Sequence, residues 1–190
     1  MLSLSTSLLL ILLIASCSTS VRCPQSRPSK QFALIDHGKH ASLVLPVKDG
    51  KLIRYVYGDW SYYALNDTSL LSGIKALLWP TESAIGMMSL PGPISKKNIT
   101  EQLKVGIENS YILNAHPEAI RKLNQSLNAL FLKHSDKMIY NSKYDLNFVP
   151  LGRAYWIFNN SNQKTASWIE ELGCEVKGLT LSSSWRVLDP

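Results

Sequence analysis

The clearest pattern of apolar and polar positions lies between residues 40 and 58. Every second residue from position 41 to position 47 is apolar, and residues 51–58 are rich in side chains that favour strands. Between them lies Asp49-Gly50, a strong signal for a two-residue hairpin turn. This part of the chain is therefore predicted to form a β-hairpin.

Apolar residues at helical spacing predict three helices. One lies between Asp67 and Pro80, one begins near Pro117, and one runs from about Ser161 to Gly173, its C-terminal stop. Their apolar stripes are Leu70, Leu71, Ile74, Leu77 and Leu78 in the first helix, Ile120, Leu123, Leu127, Leu130 and Phe131 in the second, and Ala166, Ile169 and Leu172 in the third.

Short apolar runs predict further strands at residues 32–35, 111–113, 145–149 and 154–158. The two residues after Pro80 are predicted to start a short turn. Together with the hairpin and the helices, this order predicts an α+β fold with a small, largely antiparallel sheet packed with helices.

The N-terminal 31 residues predict export and tethering. Residues 8–15 form an unbroken apolar run, too short for the roughly 20 residues that a spanning helix needs, which indicates a signal peptide over residues 1–16. The polar, proline-containing segment that follows predicts a flexible tether up to residue 31, and residues 32–190 are expected to form a single globular domain.

The end of the apolar run, Ile14-Ala15-Ser16-Cys17, resembles the lipobox of bacterial lipoproteins. By that resemblance Cys17 receives lipid and becomes the first mature residue. The protein is then expected to be a lipoprotein on the periplasmic face of the inner or outer membrane, or on an extracellular face. A plain secretory signal cut near Ser16 remains the alternative, because residues 1–7 contain no Lys or Arg.

Composition and residue spacing limit the classes of partner and cofactor that the sequence predicts. The net charge of +6 is scattered along the chain, so it indicates either a solvated basic surface or attraction to anionic lipid or envelope polymer, and export disfavours nucleic acid. The four histidines lack metal-ligand spacing and there is no phosphate loop, so no metal site and no cofactor are predicted. Whether Cys23 and Cys174 pair in an oxidising compartment stays open, as does the oligomeric state.

The predicted hairpin offers one candidate for chemistry. If Asp49 and Gly50 are the two turn residues, partners across the hairpin have numbers that sum to 99, and His40 lies opposite Asp59. The aspartate would then orient the imidazole and leave its other nitrogen free as a base. A bulge at the turn would shift the register by one and separate the pair. The alternative is a partly buried strand histidine and a turn aspartate.

A second candidate is Ser161, which follows two asparagines at the start of the last helix. Unpaired backbone N–H groups at a helix N-terminus could stabilise an oxyanion next to a serine nucleophile. The alternative is structural, because Asn and Ser are the preferred N-cap residues.

Three blocks of the chain are similar to those of an uncharacterised family of bacterial exported proteins and lipoproteins. They are HASLVLP at residues 40–46, YGDWSYY at residues 57–63 and NNSNQKTA at residues 159–166. The family shows a His-x-x-apolar-Leu-Pro strand, a Gly-Asp-x-x-aromatic-Tyr segment and an Asn-Thr-Cys-Asn helix start. It resembles circularly permuted NlpC-type papain-fold enzymes, so the resemblance implies a permuted papain-like domain.

The resemblance also assigns roles. It makes His40 the family histidine and Asp59 its acidic residue, and it puts Ser161 where the family has a nucleophilic cysteine. A serine hydroxyl is not ionised at neutral pH, unlike a cysteine thiolate beside histidine. We therefore expect a non-catalytic or weakly active lipoprotein whose cleft binds peptide, lipid or envelope polymer. The alternatives are an amide or ester hydrolase or acyltransferase using Ser161, His40 and Asp59, and a purely structural protein.

Overall fold

The computed structural model describes residues 18–25, 27–67, 79–180 and 183–189. In chain order, the strands and α-helices of these residues are β1 (Thr19–Arg22), β2 (Lys30–Asp36), β3 (Ala41–Pro46), β4 (Lys51–Asp59), α1 (Trp60–Tyr63), β5 (Thr81–Pro91), α2 (Lys96–Gln102), β6 (Asn109–Ala115), α3 (Pro117–Leu132), β7 (Ile139–Asn141), β8 (Leu146–Tyr155), α4 (Ser161–Glu171), β9 (Glu175–Lys177) and β10 (Trp185–Val187). A 3₁₀ turn covers Ser135–Lys137.

The main sheet has seven strands in the order β6-β2-β3-β4-β5-β8-β7, and every neighbouring pair is antiparallel. The α+β class and the antiparallel sheet are thus confirmed, as are the helices predicted from Pro117 and from Ser161. The sheet was expected to be small, and that expectation is wrong, because it has seven strands. The helix predicted between Asp67 and Pro80 falls mostly outside the described residues.

The structure corrects one predicted turn and one pair of predicted strands. The turn predicted after Pro80 is the start of β5, an eleven-residue strand between β4 and β8. The strands predicted at 145–149 and 154–158 are one continuous strand, β8, which ends at Tyr155. Gly86 breaks the apolar pattern of β5 because the Phe148 ring occupies the space of its side chain: a Cβ there would lie 2.5 Å from Phe148 Cε1.

Side chains alternate between the two faces of the main sheet. One face packs against α3, α4 and a separate three-stranded sheet in the order β10-β1-β9, and we call it the α3/α4 face. Its buried residues include Phe32, Leu34, Leu43, Tyr55, Tyr57, Ile85, Val149 and Trp168. The other face packs against α1 and α2, and we call it the α1/α2 face. Its buried residues include Ala33, Ile35, Val44, Leu52, Val56, Ile99 and Phe148.

The segment predicted as a flexible tether contains an ordered strand, so that prediction is wrong for residues 19–22. β1 pairs with β10 in parallel and with β9 in antiparallel orientation, and Val21 is fully buried in the main core. A disulfide joins Cys23, directly after β1, to Cys174, directly before β9. Hydrogen bonds, apolar burial and a covalent bond together fix this segment to the domain.

The hairpin forms at the predicted place but with a different register. Asp49 and Gly50 both have positive φ, as a tight hairpin turn requires, and Lys51 N–H donates to Lys48 O at 3.3 Å. Val47 N–H also donates to Lys51 O at 2.9 Å, so two residues of one strand face a single residue of the other, as in a β-bulge. Leu43 consequently pairs with Tyr55, and partner numbers sum to 98 instead of 99.

Candidate functional site

The observed register separates His40 from Asp59. Asp59 follows Tyr55 and Tyr57 in alternation, which places it on the α3/α4 face. If the register is continued to the start of the hairpin, His40 lies opposite Gly58. A side chain on Gly58 would point to the α1/α2 face and collide with the Tyr63 ring, so His40 lies on that face as well. The predicted cross-strand pairing of His40 with Asp59 is therefore wrong, because the bulge moves the two side chains to opposite faces.

Asp59 holds a local structure together. It is the N-cap of α1, where its Oδ1 accepts a hydrogen bond from the Tyr62 N–H at 2.7 Å. Its Oδ2 accepts a hydrogen bond from the Thr81 hydroxyl of β5. The carboxylate is buried, and each of its oxygens has a donor within the fold. These contacts are those of a cap that joins the end of β4 to the start of β5.

Ser161 is the first residue of α4, and the preceding Asn160 is its N-cap. The Asn160 side-chain oxygen accepts hydrogen bonds from the N–H groups of Asn162 at 2.9 Å and Gln163 at 3.0 Å. The hydroxyl and the backbone N–H of Ser161 lie beside the Tyr155 phenol and act to lower its pKa. Two of the first N–H groups of the helix, which the sequence suggested as oxyanion donors, are therefore already occupied by Asn160.

Tyr155 connects Ser161 with the surroundings of Asp59. Burial raises its pKa, the neighbouring hydroxyl and N–H of Ser161 act in the opposite direction, and the nearby negative charge of Asp59 raises it further. The phenol is accordingly neutral at physiological pH. Its ring also lies 5.9 Å from that of Tyr57. We call these groups, Asp59, Tyr155 and Ser161, the carboxylate–phenol cluster.

The start of α4 nevertheless lies close to the backbone around His40. The Asn162 side-chain amide donates to Lys39 O at 3.2 Å, and the Thr165 hydroxyl lies 3.4 Å from Ala41 O. The structure thus brings the helix start to both backbone neighbours of His40. It does not bring the three predicted side chains into one hydrogen-bonded chain.

The His40 side chain belongs to a different group of residues. Its ring stacks on His37 with 4.9 Å between centroids and meets the edge of Tyr63 at 5.5 Å. Burial lowers the pKa of His40 to about 4, and the positive charge of Arg54 contributes in the same direction. His40 is therefore neutral at physiological pH. The charge that affects its pKa is the cation of Arg54 and not the predicted carboxylate.

Arg54 lies at the centre of this second group. Its Nε donates to the Ser42 hydroxyl at 3.1 Å and its Nη2 donates to His37 Nε2 at 3.0 Å. His37 Nδ1 lies 2.7 Å from Gly106 O and must be the protonated nitrogen, because a carbonyl only accepts. Burial, followed by the charges of Arg54 and His40, lowers the pKa of His37 to about 3. We call Arg54, His37, His40 and Ser42 the arginine–imidazole cluster.

Sequence reasoning missed this cluster, although one signal was visible. Arg54 lies in a run of strand-forming residues where the positions on both sides are apolar or aromatic, and a charged residue at such a position is almost never buried without a partner. The clefts described on the surface lie elsewhere. The one with the highest enclosure, of about 430 Å³, is bordered by Cys23, Leu113 and Val187.

Comparisons with models of protein families, with curated proteins and with solved structures found no match. Among the described residues, no group of three or more His, Cys, Asp and Glu side chains is arranged to hold a metal ion. In the same part of the chain, no helix is both long and apolar enough to cross a bilayer.

Proposed function

We propose that this chain is an exported, membrane-tethered envelope lipoprotein whose papain-like domain binds a ligand and does not catalyse a reaction. The observation that carries the proposal is the occupation of the helix start at Ser161. A serine nucleophile needs a base to take its proton and free N–H groups to stabilise the oxyanion. Here the N–H groups of Asn162 and Gln163 are bonded to the Asn160 side chain, and the hydroxyl lies beside the Tyr155 phenol, which is not a base at neutral pH.

Export is supported by the apolar run at residues 8–15, by the lipobox-like sequence ending at Cys17 and by the Cys23–Cys174 disulfide. Disulfides form and persist in oxidising compartments and are rare in the cytosol. Because β1 begins at Thr19, a lipid on Cys17 would hold the domain very near the membrane, without a long spacer.

A permuted papain-like arrangement is supported by the order of the parts. A histidine at the start of an antiparallel strand precedes, in the chain, a helix that packs across the same sheet, and the two come close through Lys39 and Ala41. The departure of Ser161 from the family cysteine fits the loss of a reactive nucleophile. The ligand classes that we propose are peptide, lipid and envelope polymer.

The second candidate is a hydrolase or acyltransferase that uses Ser161, His40 and Asp59. The contacts between the start of α4 and the backbone on either side of His40 favour it. For this activity the Ser161 hydroxyl would have to meet an imidazole that lies on the other face of the sheet. The occupied N–H groups at the start of α4 would also have to become free.

A serine-reactive fluorophosphonate probe distinguishes the two candidates. We expect no covalent labelling of the wild-type protein at neutral pH, and identical behaviour of Ser161→Ala and the exposed control Ser135→Ala. Labelling that mass spectrometry maps to Ser161, and that Ser161→Ala removes while Ser135→Ala retains it, would overturn the binding role. Incorporation of radiolabelled fatty acid that depends on Cys17 tests the tether separately.

A further inference from the structure

Arg54 is a buried cation in the middle of a sheet. Its side chain is 1% exposed, and it lies on β4 between β3 and β5, facing the apolar α1/α2 side. Burial lowers its pKa to about 10, which still leaves the guanidinium charged at neutral pH. Taking such a charge out of water costs several kcal/mol unless another charge compensates for it.

No carboxylate side chain of this protein compensates for that charge. All 14 Asp and Glu residues lie in the described part of the chain, and the ion pairs among those residues do not include Arg54. The described ion pairs are Lys104–Asp145, Arg121–Glu118 and Lys177–Glu175. The buried guanidinium therefore has only neutral hydrogen-bond acceptors in the described structure.

Those neutral acceptors use only two of the three guanidinium nitrogens. Nε is bonded to Ser42 and Nη2 to His37, whereas the buried Nη1 has no hydrogen-bond partner in the described structure. An unpaired buried donor destabilises the folded state, and more so when it is charged. The two N–H groups of Arg54 Nη1 therefore have no acceptor in the described structure.

The neighbours of Arg54 leave it as the only positive charge of the cluster. Both imidazoles are neutral, and the charge of Arg54 helps to keep them so. The two stacked rings are partly exposed, whereas Arg54 is buried. Ser42 is fixed by its hydrogen bonds to Arg54 and His37.

We propose that the arginine–imidazole cluster binds a small monovalent anionic group, a halide or the carboxylate of a ligand, at Nη1 of Arg54. One negative charge balances one buried cation, and a single nitrogen with two N–H groups fits one halide or one carboxylate oxygen. Charge-assisted hydrogen bonds of this kind are roughly twice as strong as neutral ones. This assignment rests on the proposed binding role of the domain and names the chemistry of its ligand.

The test uses the intact protein with bromide and acetate as probes at constant ionic strength. Proton and carbon resonances of the imidazole rings are followed by NMR during each titration. We expect saturable shifts at His37 and His40, with no comparable change at His116 and His134, which lie outside the cluster. A bromide effect with no acetate effect would identify a halide site, and the reverse would identify a carboxylate site.

Thermal unfolding of the wild type and of two matched variants provides a second test. An anion that binds only the folded state raises the unfolding temperature as its concentration increases. We expect this rise in the wild type and in Lys51→Met, an exposed cation on the same strand, and a loss of at least tenfold in apparent affinity in Arg54→Met. Equal shifts at all four histidines, a non-saturable response or the same anion dependence in Arg54→Met would overturn the proposal. Labelling of Ser161 by the serine probe would overturn the non-catalytic role and leave this anion result unaffected.

Discussion

Two polar clusters lie on opposite sides of β4 and differ in how their charges are balanced. On the α3/α4 face, the carboxylate of Asp59 receives two hydrogen bonds, and the N–H groups of Asn162 and Gln163 at the start of α4 are bonded to Asn160. On the α1/α2 face, the guanidinium of Arg54 is equally buried but has no anionic partner among the described residues and an unpaired Nη1.

The difference indicates which cluster is structural. Buried polar groups that satisfy one another stabilise one conformation and leave nothing for a ligand to bind. A buried cation with unused donors is costly to the fold, and a ligand would recover that cost. Asp59, one of the residues that resemble catalytic groups, is thus satisfied within the fold, while the unsatisfied group is an arginine that no catalytic pattern includes.

The largest expected effect concerns the α3/α4 face, where the disulfide fixes β1 to the end of α4. Replacing both Cys23 and Cys174 with Ala should lower the free energy of unfolding by about 2–5 kcal/mol, because the bond closes a long loop of the unfolded chain. Urea unfolding measures this. A reductant should destabilise the wild type and leave the double variant unchanged; equal stability of the two proteins in the absence of reductant would contradict the account.

Substitutions at Asp59 and Arg54 compare the two clusters directly, with a smaller expected effect on the free energy of unfolding. Asp59→Ala removes a helix cap and leaves the Tyr62 N–H and the Thr81 hydroxyl without their acceptor, so it should cost about 1–3 kcal/mol. Asp59→Asn keeps an acceptor at the cap and should cost less. Arg54→Met removes an uncompensated buried charge and should leave the free energy of unfolding unchanged or raise it, as measured in urea without added anions. A larger loss in Arg54→Met than in Asp59→Ala would reverse the comparison.

The elements with strong local signals could be predicted from the sequence. Asp49-Gly50 marks the hairpin turn, Pro117 begins α3, and Gly173, with φ of 89°, follows the end of α4. In each case the decisive interaction lies within a few residues of the signal. The antiparallel orientation of β3 and β4 follows from the tight turn that joins them.

The remaining features depend on interactions between distant residues. One extra residue at Lys48 shifts the hairpin register, and this alone moves His40 away from Asp59. The pairing of β1 with β9 and β10 depends on partners more than 150 positions away, so the polar segment after Cys17 resembled a linker. The isolation of Arg54 becomes visible only when the positions of all carboxylates are known.

The protonation of His40 tests the central claim most directly. NMR titration of the ring measures its pKa in the wild type and in Asp59→Asn. Because His40 is buried beside Arg54 on the α1/α2 face, the account predicts a pKa of about 4 that Asp59→Asn does not change, and hence a native state that loses stability as the pH falls below the unfolded pKa of about 6.5. A pKa near or above 6.5 that falls when Asp59 loses its charge would show that the imidazole and the carboxylate are paired, and would contradict the account.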